Sequence, residues 1–317
     1  MSFVSLLKRE WREHVSALYW GVGALLSILV VSLLIVTTFD VEFEANMSQT
    51  QQSEILEGFG RDTQSTHSQV DGLAAFTALT LDVAGSTDAE LRSKMRLILS
   101  SVERIFNWVL AAIVVFGLIA CLHDERRDQS ILFWKSMPVS DTQTVTSKLV
   151  ALVWLAPLVT IVGALIAQIV IVGTLALIVE DGMGGRVWEA SALHLRPFMS
   201  LFGYATNGLW TLPVYAWLML VSAVATRVPV LWALGIPLVI TWFEGLVFSS
   251  AHVARAVLSH AQPLGLPYNW YSYDEDTGQT RGDALDLLLT LELWAGIVVG
   301  VLLLVITIRA RGRYNEA

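Results

Sequence analysis

Residues Leu149 to Val179 read LVALVWLAPLVTIVGALIAQIVIVGTLALIV, a run without a single ionisable side chain. A membrane hydrocarbon core about 30 Å thick is crossed by roughly 20 apolar residues of helix, so this stretch is long enough to span it with residues to spare. Just upstream, Ser140 and Gln143 have the spacing of a capping box, which predicts a helix start there. Further apolar runs occur at about 18–38, 105–122, 199–225, 230–248 and 287–308, making six predicted spans. The first is too long for a cleaved signal segment and lacks a small-residue cleavage site, so it reads as a retained span. Composition agrees: 55% of the 317 residues are hydrophobic and 15% are charged, where soluble domains carry about 25% charged residues. An ordinary soluble domain is excluded. Cys121 is the only cysteine, which excludes an internal disulfide and a thiolate metal cluster within one chain.

Short loops retain Lys and Arg on the cytoplasmic side. With the N-terminus inside, the inner segments hold Lys8, Arg9, Arg12, Arg126, Arg127, Lys135, Lys148, Arg227, Arg309, Arg311 and Arg313, and fewer acidic residues oppose them. Both termini are therefore expected in the cytoplasm, and the formal charge of -8 belongs to the outer surface. It is no sign of a nucleic-acid partner. The expected fold is an all-α integral membrane protein with six transmembrane helices and a long extracytoplasmic loop, 40–104, between spans one and two. Thr87 and Glu90 in that loop form a second capping-box pattern, and Leu91, Met95, Ile98, Val102 and Ile105 continue as the stripe of a helix running into span two. A second outer loop, 249–286, carries Tyr268, Trp270, Tyr271 and Tyr273, which suit a membrane interface. Asp274-Glu275-Asp276 beside them reads as a solvated acidic turn, because the calcium-loop spacing is absent.

At the other end of the chain, residues 1–16 place Phe3, Leu7 and Trp11 on one helical face, with Lys8, Arg9, Arg12 and Glu13 largely elsewhere. This is the pattern of an interfacial helix whose apolar residues anchor it in the inner leaflet and whose basic residues meet lipid headgroups.

The inner loop 123–148 is not a plain connector. It sets Ile131, Leu132, Phe133 and Trp134 between the charges Glu125, Arg126, Arg127 and Asp128 and a breaking Pro138. An apolar, aromatic patch on a short cytoplasmic element needs a membrane surface or a protein groove to bury it. The loop resembles that of six-span permease subunits of type-2 ATP-binding-cassette (ABC) exporters. In those permeases an acidic and Arg-containing turn is followed by a small-residue pair, a Leu-rich turn, a Pro-Val/Ile-Ser step and a Lys opening span three. Glu125 and Arg126, Ile131 and Leu132, Met137-Pro138-Val139-Ser140 and Lys148 match those elements; Gln129-Ser130 stands where Gly-Thr is common, and Phe133-Trp134-Lys135 replaces a run of Leu and small residues. The resemblance implies that residues 1–317 form a single permease domain in a bacterial inner membrane. It also implies a coupling helix in this loop that docks on a separate ATPase subunit, with apolar anchors at Leu132, Phe133 and Trp134. Glu125, Arg126, Arg127 and Asp128 would then make rim contacts. Two ATPase copies and a second permease chain are implied partners, besides membrane lipids. The chain itself has no phosphate-cradling loop, since none of Lys8, Lys94, Lys135 and Lys148 follows a glycine. It is expected to bind no cofactor or metal of its own; ATP and Mg belong to the partner, and the chain is not expected to be an enzyme.

Within the spans, Glu244 is the ionisable residue most exposed to a functional reading, as a group on the cargo path or as a hydrogen-bond partner of a neighbouring segment. Asn207 and Gln168 read as helix-to-helix hydrogen-bond partners, and Pro157, Pro213 and Pro237 predict kinks in three spans. Three other readings compete. A zinc protease would need His-Glu-x-x-His, which His14, His67, His123, His194, His252 and His260 do not supply. A secondary transporter would show matched repeats or interrupted helices. An ABC-type complex could also relay ATPase motion to an outer partner without moving cargo.

Overall fold

The computed structural model describes residues 3–38, 85–129, 139–179, 182–261, 272–273, 280–281 and 288–313. Among these the chain is helical apart from β1 (Ser272–Tyr273) and β2 (Thr280–Arg281), a short antiparallel pair with Ser272 opposite Arg281. The helices are α1 (Phe3–Thr38), α2 (Asp88–Ala120), α3 (His123–Arg127), α4 (Asp141–Val150), α5 (Ala156–Ile178), α6 (Gly184–Ser191), α7 (Arg196–Trp210), α8 (Leu212–Val224), α9 (Pro229–Phe248), α10 (His252–Ala261) and α11 (Leu291–Arg313). A π-turn, Ala151–Leu155, joins α4 to α5.

Four stretches are long and apolar enough to cross a membrane: Asp88–Arg127, Asp141–Leu177, Pro229–Phe248 and Leu291–Arg313. A fifth crossing results if Gly184–Trp210 and Leu212–Val224, bent by 59°, form one broken span. Their surroundings separate them from helices of a soluble core. On α9, Leu231, Leu234, Leu238, Trp242 and Leu246 all stand exposed, and an apolar helix with its side chains outward is compatible with a lipid solvent.

Both capping boxes form. The Thr87 amide donates to Glu90 Oε2 at 2.9 Å and the Glu90 amide to Thr87 Oγ1 at 3.3 Å. Ser140 and Gln143 exchange the same pair of bonds at 3.3 and 3.2 Å. From the first box α2 runs on unbroken for 33 residues, about 50 Å at 1.5 Å per residue. α1 is continuous from Phe3 to Thr38, so the expected interfacial helix and the expected first span are one element. No proline or glycine lies between Arg12 and Leu18 to part them.

The run 199–225 is not one straight helix. Pro213, second in α8, has no N–H for the preceding turn and its ring crowds the carbonyl four residues back, and the chain breaks at Thr211. Pro157 follows the π-turn directly. Pro237 lies inside α9, which stays a single helix. Residues 40–84 of the outer loop, together with Tyr268, Trp270, Tyr271 and Asp274 to Asp276, fall outside the described residues.

The chain divides into two compact units. The larger comprises Met1–Leu25, Ser100–Gln168 and Leu193–Ala317. Its core gathers Leu118 and Leu122, Val145 and Leu149, Leu152, and Leu218 and Met219 of α8. α8 lies so close to α11 that a Cβ on Gly300 would come within 2.8 Å of Leu212 Cγ. Cys121 is buried in this core, its thiol donating to the Leu118 carbonyl at 3.2 Å. The smaller unit, Leu26–Leu99 with Ile169–Ala192, buries Leu91, Met95 and Leu99 of α2, Val172 and Leu175 of α5 and Val187 of α6. Arg186 there donates to Asp88 at 2.8 Å and to the Ser86 carbonyl at 3.1 Å.

Candidate functional site

The chemistry of the larger unit concentrates where α2 ends. The turn that follows it into α3 is pinned to α8 by one hydroxyl: Ser222 Oγ accepts from the backbone amides of Leu122 and His123, both at 3.0 Å. The short helix α3 then carries Arg126 back over the C-terminus of α8, where its guanidinium donates to the carbonyls of Ser222 at 2.6 Å and Ala225 at 2.8 Å. Helix ends leave such carbonyls without partners, and a cation there also meets the negative end of the helix dipole.

One residue earlier, Glu125 faces inward. Its carboxylate accepts from Lys148 Nζ at 3.1 Å and from Arg311 Nη2 at 2.9 Å. Lys148 also donates to Glu10 at 3.0 Å, and Arg311 reaches Asp141 at 3.4 Å. Arg9 completes the set by pairing with Glu10. The chain Glu10–Lys148–Glu125–Arg311–Asp141 thus ties α1, α3, α4 and α11 together. With Arg9 included, three carboxylates face three cations. Glu10 is 0% exposed and Lys148 2%. Charges removed from water to that degree persist only when each has an opposite partner.

The structure redistributes the residues expected to meet an ATPase. Of the expected rim residues, Glu125 is buried between two cations and Arg126 caps α8. Arg127 and Asp128 are exposed and remain available at the surface. Ile131, Leu132, Phe133, Trp134 and Pro138 lie outside the described residues. The network nonetheless brackets their loop, because Glu125 stands before it, Asp141 and Lys148 stand after it, and both sides are bonded to one another or to Arg311.

Phe3 opens α1, and Leu7 and Trp11 are half-buried, while the residues fully enclosed are Leu6 and Glu10. The inward face of this helix is thus the one that delivers Glu10 to Lys148. Sequence spacing shows Glu10 only as one more charge on an amphipathic helix; its partner is 138 residues away.

Glu244 is hydrogen-bonded to the segment that follows its helix. Its carboxylate accepts from Ser250 Oγ at 2.8 Å, the His252 amide at 2.7 Å and the Val253 amide at 2.9 Å. It is the N-terminal cap of α10, bonded to the His252 backbone rather than its ring. Gln168 behaves as a helix-to-helix partner, donating to Glu103 at 2.8 Å, and Arg196 reaches the same carboxylate at 3.1 Å. Asn207 accepts from Thr211 at 3.3 Å, next to the break between α7 and α8. Among the described residues no group of three or more His, Cys, Asp and Glu side chains is placed to hold a metal.

No family model, curated protein or solved structure matches this chain. Its functional reading rests on its own residues.

Proposed function

We propose that this chain is the transmembrane subunit of an ATP-driven exporter of the type-2 ATP-binding-cassette class, coupled through residues 123–148 to a separate ATPase subunit. In this reading α1 supplies the first crossing and the bent pair α7 and α8 the fourth, both termini are cytoplasmic, and two permease chains enclose the cargo path in a bacterial inner membrane. Two ATPase copies hold ATP and Mg.

The observation that carries the reading is the buried charge chain. A loop that transmits force needs stems that do not yield. Here both stems are joined by Lys148–Glu125 at 3.1 Å, and the joint extends to α1 through Glu10 and to α11 through Arg311. Breaking one such buried pair costs about 3–5 kcal/mol, so displacement of the loop would be delivered to three helices at once. Phe133 and Trp134 supply the large apolar side chains suited to anchoring in a pocket, and Arg127 and Asp128 supply charges at its edge.

The test is ATP hydrolysis by the complex purified through this chain from its native membrane and reconstituted in vesicles. Phe133→Ala with Trp134→Ala is expected to abolish cargo-dependent ATP turnover while the chain remains inserted. Turnover that survives both truncations, or a native complex with no ATPase subunit, would refute the assignment.

A further inference from the structure

The α-helical hydrogen-bond ladder of the third apolar stretch, which is one continuous span, is interrupted by the π-turn where it passes its neighbours in the larger unit. Within the π-turn the Ala156 amide donates to the Ala151 carbonyl, and the next residue, Pro157, has no N–H to give to the turn before it. Beside this break lies a small cavity lined by Asn107, Val153, Pro157, Tyr204, Asn207 and Tyr215. The space open to the centre of a water molecule is about 20 Å³, and one water requires roughly 10–15 Å³ on that measure.

The lining is polar on one side and backbone on the other. Asn107 is 1% exposed, and its side-chain carbonyl accepts from the Tyr204 hydroxyl. Its amide hydrogens find no partner among the described residues, although an unpaired buried amide is costly. Across the cavity, Val153 and Pro157 mark the place where the helix ladder lacks a donor. Gly208 of α7 presses against the same turn, where a Cβ would lie 3.0 Å from both Trp154 Nε1 and Val153 Cγ1. A site that offers a donor on one wall and asks for a donor on the other is matched by a molecule that is both.

We propose that this cavity binds one structural water, which accepts from the Asn107 amide and donates to a backbone carbonyl of the π-turn ahead of Pro157. A dry cavity would be lined by apolar groups alone; this one is not. Broken backbone inside a membrane persists where water or side chains satisfy it again.

X-ray radiolytic hydroxyl-radical labelling, read by mass spectrometry on the full chain in nanodiscs, tests this, since a bound water is radiolysed in place and marks its neighbours. Tyr204 and Tyr215 are expected to be labelled in the wild type, whereas Met95, buried in the smaller unit, is not. Asn107→Leu removes the donor, and Ala111→Leu, at a further residue of the lining, fills the space while leaving every polar group intact. Each is expected to reduce labelling of both tyrosines several-fold. Absence of label on both tyrosines in the wild type would overturn the proposal, and so would label that persists in whichever variants fold.

Discussion

Lys148 lies between two carboxylates, with Glu10 at 3.0 Å and Glu125 at 3.1 Å, and water reaches neither bond. Replacing it by Met keeps the length of the side chain but takes away the cation that Glu10 and Glu125 share, leaving Arg9 with the first and Arg311 with the second. The loss expected for Lys148→Met is about 3–5 kcal/mol, seen as a lower thermal midpoint and poorer recovery from the membrane. Adding Glu10→Gln to that variant removes the carboxylate that lost its lysine and is expected to restore part of the loss; a double variant no better than the single would show that the two residues do not act as a pair. Much of this cluster is visible as residues in the sequence, but its connections are not. Glu125, Arg126 and Lys148 stand out by their spacing around the loop, yet spacing alone suggests that the first two face outward. What turns them inward is tertiary: Arg126 meets carbonyls 96 and 99 residues away, and Glu125 meets an arginine 186 residues away. Local pattern carries no information at those separations.

At the scale of elements, the turn from α9 to α10 depends on a residue within the preceding helix. Ser249 adopts a left-handed conformation with φ of 47°, the chain reverses, and Glu244 receives the first amides of α10. Glu244→Ala is expected to speed hydrogen exchange at His252–Ala261 while α9 keeps its protection; equal exchange in both proteins would remove the capping role. The local capping boxes at Thr87 and Ser140 are legible because the pattern spans three residues. The cap of α10 is not, since Glu244 acts on amides eight and nine positions ahead, outside any capping-box spacing, and α10 therefore reads as plain outer loop. The prolines fall between these cases. Pro157 and Pro213 do coincide with a π-turn and a break, but Pro237 sits in a helix that continues through it, so proline marks where a span is able to bend and packing decides whether it does.

For the whole molecule, hydropathy identifies the helices that match a membrane because the requirement is one of length and composition. Four such stretches, and a fifth if the bent pair is counted, fall where apolar runs predict them. The direction in which they thread the membrane is set by Lys and Arg in the loops, and the structure provides a way to read it. Cys121 is the only cysteine and is buried in the larger unit, so the native chain is silent towards water-soluble thiol reagents. A cysteine placed at Arg127 or at Leu289, both exposed, becomes the sole reactive thiol. In intact cells an impermeant maleimide is expected to mark Leu289→Cys and spare Arg127→Cys, and in inverted vesicles the pattern exchanges. The opposite result would reverse the orientation drawn from the charges. A thiol walled in by its own bundle thus makes the wild-type chain an unreactive control, and each added cysteine reports from one place only.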